Sequence, residues 1–319
     1  MDVFRHLFGF DQAVAAELLP VIEHAVTIVD PRLKLTGGYP DHYRKPVLNA
    51  LEYSRTLALN VPGPVSINLN TYAQNAYVHA IFPSKDFISE AFRASRAIQE
   101  YFIENPTSNQ AYALMGMRRH EKTLMGVELS GQVIQRDVPQ QVVYFNGHTI
   151  VDTAPTEAQA RDRVAWGFFN NLVDKVAKRI SSRKAEMQSQ LQELNLLKVH
   201  LHTAHEDTRP GLEKELSRLL DTVQTTATTL DLRHYMNDFE DVLLNPEQHL
   251  RLHQSPIILD SMGIRQNTSG DADSDSIIFN DLIGFDRRIW TVTMVHCSNM
   301  QIESFTSRLE TAYRNLCIR

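Results

Sequence analysis

Residues 169–230 read FNNLVDKVAKRISSRKAEMQSQLQELNLLKVHLHTAHEDTRPGLEKELSRLLDTVQTTATTL, and the apolar positions fall into two series of alternating four- and three-residue steps. The first comprises Phe169, Val173, Val176, Ile180, Met187, Leu194, Leu197 and Leu201, with the polar Arg183 and Gln190 completing the spacing. The second comprises Leu212, Leu216, Leu219, Val223, Thr226 and Leu230. A heptad repeat drifts only ~20° per seven residues against the helical period, so each series stays on one face and is buried only against another helix. The segment Glu206–Gly211, with Pro210 and Gly211, divides them. The spacing predicts an antiparallel helical hairpin with residues 206–211 at its tip.

The limits of the hairpin follow from local signals. Thr156 and Gln159 have the form of a capping box after Pro155, which starts the first helix there and carries it to about His202. The return helix is expected from Leu212 to about Leu244, ahead of Asn245-Pro246. Arg183 and Gln190 occupy interior positions, where a polar side chain sets register at a cost in stability. Lys178, Arg179 and Lys184 read as a solvated helix face, and so do Asp238, Glu240 and Asp241.

On the N-terminal side, residues 1–120 read as a helical subdomain. Val14, Leu18, Val21, Ile22, Ala25 and Val29 share a helical face, with Pro20 marking a kink or a new start. A helix over Lys45–Leu59 would hold Pro46 in its first turn. Ser84 is the N-cap of another, running to Asn105-Pro106. The period then alternates. Residues 121–155 read as the first part of an antiparallel sheet: two short strands about Ser130-Gly131, then a hairpin at Asn146-Gly147, a dipeptide that tolerates two positive φ angles. Residues 156–250 are the inserted coiled-coil hairpin. Residues 251–319 supply the second part of the sheet over 256–264, 276–283 and 288–297, followed by a helix carrying Ile302, Phe305, Leu309, Tyr313 and Leu316. Neither strand group is large enough to bury a face alone, so both are expected in one sheet. The fold class is α+β: a helical subdomain and a small antiparallel sheet or partial barrel, interrupted by a long coiled-coil hairpin.

The 319 residues are 43% hydrophobic and carry a formal net charge of −6, enough apolar material for a sizeable core and no global basic field. That charge argues against nucleic acid as the main partner. Two cysteines, Cys297 and Cys317, form no Cys-x-x-Cys pair and suit reduced thiols in a cytoplasm. The opening MDVFRHLFGF lacks signal-peptide features, and its Phe4, Phe8 and Phe10 are expected to pack on the helical subdomain. No apolar run approaches the ~20 residues of a membrane span.

Catalytic signatures are sparse. Gly-x-Ser-x-Gly, the P-loop, His-Glu-x-x-His and Gly-x-Gly-x-x-Gly are all missing. His200, His202 and His205, followed by Glu206 and Asp207, form the most ligand-rich segment. The spacing is similar to the metal-binding stretch of metallo-β-lactamase-fold hydrolases, with Ala204 where that motif is acidic. This resemblance implies a metal-dependent hydrolase in which the three histidines and distant acids such as Asp260 or Asp286 hold a divalent metal and its water. On a continuous helix the three rings diverge, which favours a solvated tip. Asp271–Asp275 resembles the start of an EF-hand loop but has Ser276 and Leu282 where Gly and Glu are required. Arg118, Arg119 and His120 form the other compact basic group. The leading expectation is therefore a non-enzymatic interaction or assembly protein, needing no cofactor, whose seam residues Phe169, Val173, Val176, Ile180, Arg183, Met187, Leu194, Leu197, Leu212, Leu216, Leu219 and Val223 build an arm for a protein partner or self-association.

Overall fold

The computed structural model describes residues 13–68, 71–130, 133–266, 274–284 and 288–298. Phe4, Phe8, Phe10, Asp271–Asp273, Asp286 and the helix expected from Ile302 lie outside them. In chain order the elements are α1 (Ala13–Val29), a 3₁₀ turn (Pro31–Leu35), α2 (Asp41–Asn60), β1 (Val65–Ser66), α3 (Thr71–Gln74), α4 (Ala76–Ile81), α5 (Lys85–Ala94) and α6 (Arg96–Glu104). Then follow β2 (Gln110–Ser130), β3 (Val133–Ala154), α7 (Glu157–Thr203), α8 (Arg209–Thr228), α9 (Leu232–Leu244), a second 3₁₀ turn (Pro246–Gln248), β4 (Arg251–Asp260), β5 (Ser274–Ile283) and β6 (Ile289–Ser298).

The chain divides into two compact units, Met1–Ser54 with Phe168–His249, and Arg55–Gly167 with Leu250–Arg319. The first 120 residues thus do not form one helical subdomain. α1 and most of α2 belong to the first unit, α3–α6 to the second, and β2 already begins at Gln110. Among the described residues no helix is long and apolar enough to cross a membrane.

The second unit is built on one sheet of order β3-β2-β6-β5-β4, antiparallel throughout except that the two-residue β1 runs parallel to β6. Strands from before and after the hairpin meet where Gln110–Met117 of β2 pairs with Thr291–Ser298 of β6. Central β6 is buried on both faces from Thr291 to Val295, as its run of Thr, Val and Met allows. On one face Ala113, Met115, Phe145, Leu259, Phe279 and Val295 pack with Val78, Ile81, Phe92 and Ile98 from α4, α5 and α6, and with Phe82 just after α4. Ser84 and Ser95 each cap a helix by accepting from the backbone N–H three residues on, so the single helix expected after Ser84 is two.

Asn146-Gly147 makes no hairpin turn. β3 runs straight through it, Gly147 alone has positive φ (63°), and the register with β2 shifts by one residue between Gly116 and Arg118. The glycine absorbs a β-bulge, whereas a two-residue turn needs positive φ at both positions. β2 and β3 are joined at residues 131–132 instead.

α7 is a single helix of 47 residues, ~70 Å long at the usual rise, and belongs to the first unit from Phe168 onward. Thr156 accepts from Gln159 N at 3.3 Å and opens the helix as an N-cap. The return leg is not one helix. α8 stops at Thr228, α9 starts at Leu232, and a threonine run occupies the junction. Thr222, Thr225, Thr228 and Thr229 turn their hydroxyls onto the carbonyls of Arg218, Asp221, Thr225 and Thr226, and Asp231 then caps α9 by accepting from His234 N at 2.8 Å. Such side-chain bonds compete with helix propagation and make a break inexpensive.

Candidate interaction site

Burial along the two seams is graded. Phe169, Val173, Val176 and Ile180 are buried, as are Leu194 and Leu197 at 5% and 9% exposure, while Met187, Gln190 and Leu201 are half-buried. Leu212, Leu216, Leu219 and Val223 are half-buried between exposed neighbours, and Thr226 is buried. Five residues separate α7 from α8, a link short enough to return α8 along α7, and the buried positions Leu194, Leu197 and Thr226 each fall in the apolar series of their own leg.

Below this zipper a polar network joins α7 to the helices of its own unit. Arg183 holds Asp238 of α9 with both guanidinium nitrogens, one at 2.9 Å, and Arg179 donates to Asp241 at 2.7 Å. Asp238 is buried and Arg183 half-buried, so the pair is partly withdrawn from water. Lys184 reaches Asp30 at 2.8 Å, and Asp30 also accepts from the backbone N and guanidinium of Arg32. The Arg32 guanidinium holds the Asp30 carboxyl well below the usual carboxylate range, against its burial and with help from Lys184. Arg32 and Lys184 each lie 5.5 Å from the centre of the buried Tyr235 ring. Nearby, Tyr43 meets Phe239 edge-on at 5.1 Å, and Asn49 donates to Leu243 O at 2.8 Å.

Arg179, Lys184, Asp238 and Asp241 are therefore not merely a solvated face; they anchor the hairpin base. A signal for this was present in the sequence. Arg183 stood at an interior position of one series, and an acid at a matching depth of the return leg is its natural partner. Asp30 and Tyr235 left no such trace, because their roles depend on tertiary placement.

At the distal end, His200 and His202 sit exposed in the last turn of α7, and His205 is exposed in the link. Among the described residues no group of three or more His, Cys, Asp or Glu is arranged to hold a metal. Asp260, the described acid of the hydrolase expectation, accepts from Met262 N and Ile264 N and so closes a turn in the other unit. Of the other basic group, Arg118 lies over Trp290 at 5.0 Å, Arg119 meets the buried Asp281 at 3.0 Å, and His120 stacks on Tyr144.

The distal hairpin also carries apolar residues that the seam does not use. Leu196 and Val199 are 62% and 60% exposed, and Leu191 and Leu220 are exposed as well. At ~100° per residue, Leu196 and Val199 lie on the side of α7 roughly opposite Leu194, Leu197 and Leu201. They were legible as leucine and valine three apart and out of step with the heptad. No protein-family model, curated protein or solved structure matches this chain.

Proposed function

We propose that this chain is a non-enzymatic assembly protein whose distal hairpin engages a protein partner or a second copy of itself. The observation that carries this reading is the second apolar face: Leu194 and Leu197 of the seam are buried, yet Leu196 and Val199 remain in water on the opposite side of α7. Ordering some two heptads on each leg beyond the charged base costs conformational entropy and adds nothing to the core of the base. A paired rod with branched apolar side chains outside fits recognition of a helix or helical groove.

The test removes residues 187–200 and 213–226 together. This takes two heptads from each leg, keeps the seam in phase, and leaves the tip and base in place. The shortened protein is expected to keep its cooperative melt but to lose the mass of any self-association by light scattering, or the partner retained from extract by the full chain. Leu196→Glu with Val199→Glu should do the same. Equal mass and equal retention for full-length and shortened proteins would refute the reading.

A further inference from the structure

We infer that the second unit binds a small amphipathic organic amine in a cleft of about 790 Å³ between α3–α4 and the strands β3, β4 and β5. The volume falls in the range of roughly 300–1,000 Å³ found for small-molecule sites. Its floor is apolar and already ordered by the core: Ile81, Phe82, Phe145, Leu259 and Ile277 line it and are all buried. Its rim carries the rings of Tyr72, His79 and Tyr144, with Tyr72 and His79 4.9 Å apart.

Charge selects the class of ligand. Asp275, opposite Leu259 in the β4–β5 register, shares the cleft's face of the sheet with Leu259 and Ile277, and among the described residues the lining contains neither Lys nor Arg. The Asp260 carboxylate alternates to the opposite face, where Oδ1 accepts from Met262 N and Ile264 N and Oδ2 from Gln266 Nε2. Asp275 is exposed and forms no salt bridge with any described residue. An ammonium seated between the Asp275 carboxylate and the tyrosine faces gains Coulomb and cation–π attraction, while its apolar body covers the floor. A carboxylate on the same body meets repulsion.

The experiment titrates the full-length protein by calorimetry with two probes of one shape, 2-(1-naphthyl)ethylamine and 1-naphthaleneacetate. The amine is expected to bind saturably and at least tenfold more tightly than the acid. Asp275→Lys, a change at an exposed position, should reverse that order, and Ala76→Trp, which fills the cleft, should abolish both interactions. Absence of saturable amine binding, equal affinity for the two probes, or an order unchanged in Asp275→Lys overturns the inference. Should Asp275→Lys melt early, Asp275→Asn is to weaken the amine at least threefold, and an unchanged affinity is equally fatal.

Discussion

His148 shows how much one ring can cost its surroundings. It stacks on Phe82 at 4.8 Å, meets Phe87 edge-on, and donates Nε2–H to the Ile81 carbonyl at 2.8 Å. Its Nδ1 is buried without a partner, so a second proton there would have nowhere to go. Burial accordingly pushes the imidazole below its ordinary value, partly countered by the bond to Ile81. The unfolded chain takes up a proton near pH 6.5 that the folded chain refuses. This contribution to stability is complete above that pH and is lost as pH falls through the lower folded pKa. Urea midpoints between pH 7.5 and 5 should therefore drop more steeply for the wild type than for His148→Phe, whatever the offset at neutral pH. Parallel profiles would remove His148 from the account. Gly63 illustrates a different constraint: with φ at +104°, a Cβ there would stand 2.4 Å from the Met294 carbonyl oxygen. Neither role is visible in sequence, since each depends on a neighbour more than 60 residues away.

Among the elements, the α7 seam was the most legible because one period governs it over its whole length. The return leg was legible only as far as its apolar spacing. Its series continued past Thr226 to Leu230, whereas the break was set by hydroxyl bonds within the threonine run and by the Asp231 cap. The Asn146-Gly147 dipeptide was misleading for a related reason: a glycine with positive φ serves a turn and a bulge equally well, and only pairing with β2 decides between them. The Arg183–Asp238 pair belongs to this scale, since it links two elements. Arg183→Asp or Asp238→Arg alone should each cost about 2 kcal/mol, the order expected for charge-assisted hydrogen bonds at a partly exposed pair. The double exchange should recover at least half of the summed loss in denaturant melts. Full additivity of the two losses would show that the pair does not set register.

At the scale of the molecule, the change from a helical to an alternating period was enough to place strands on both sides of an inserted hairpin. The requirement that short strands share partners was enough to join them in one sheet. The division into units was not legible, because α2 and α7 each pass from one unit into the other without any interruption in helical pattern. The amine cleft escaped sequence reading too. Its lining comes from α3–α4, β3, β4 and β5, segments far apart along the chain that carry no motif.

The central claim is that the two stripes close on each other within one chain, leaving the outer face of α7 free for a partner. It is tested most directly by a spin-label distance between Ser189→Cys and Gln224→Cys, both at exposed positions on opposite legs. The background carries Cys297→Ala and Cys317→Ser. Pairing within the chain predicts one narrow distance, set by the ~10 Å spacing of packed helices plus the label arms and unchanged on dilution with unlabelled protein. A broad distribution, or a distance that fades on dilution and so arises between copies, would contradict it.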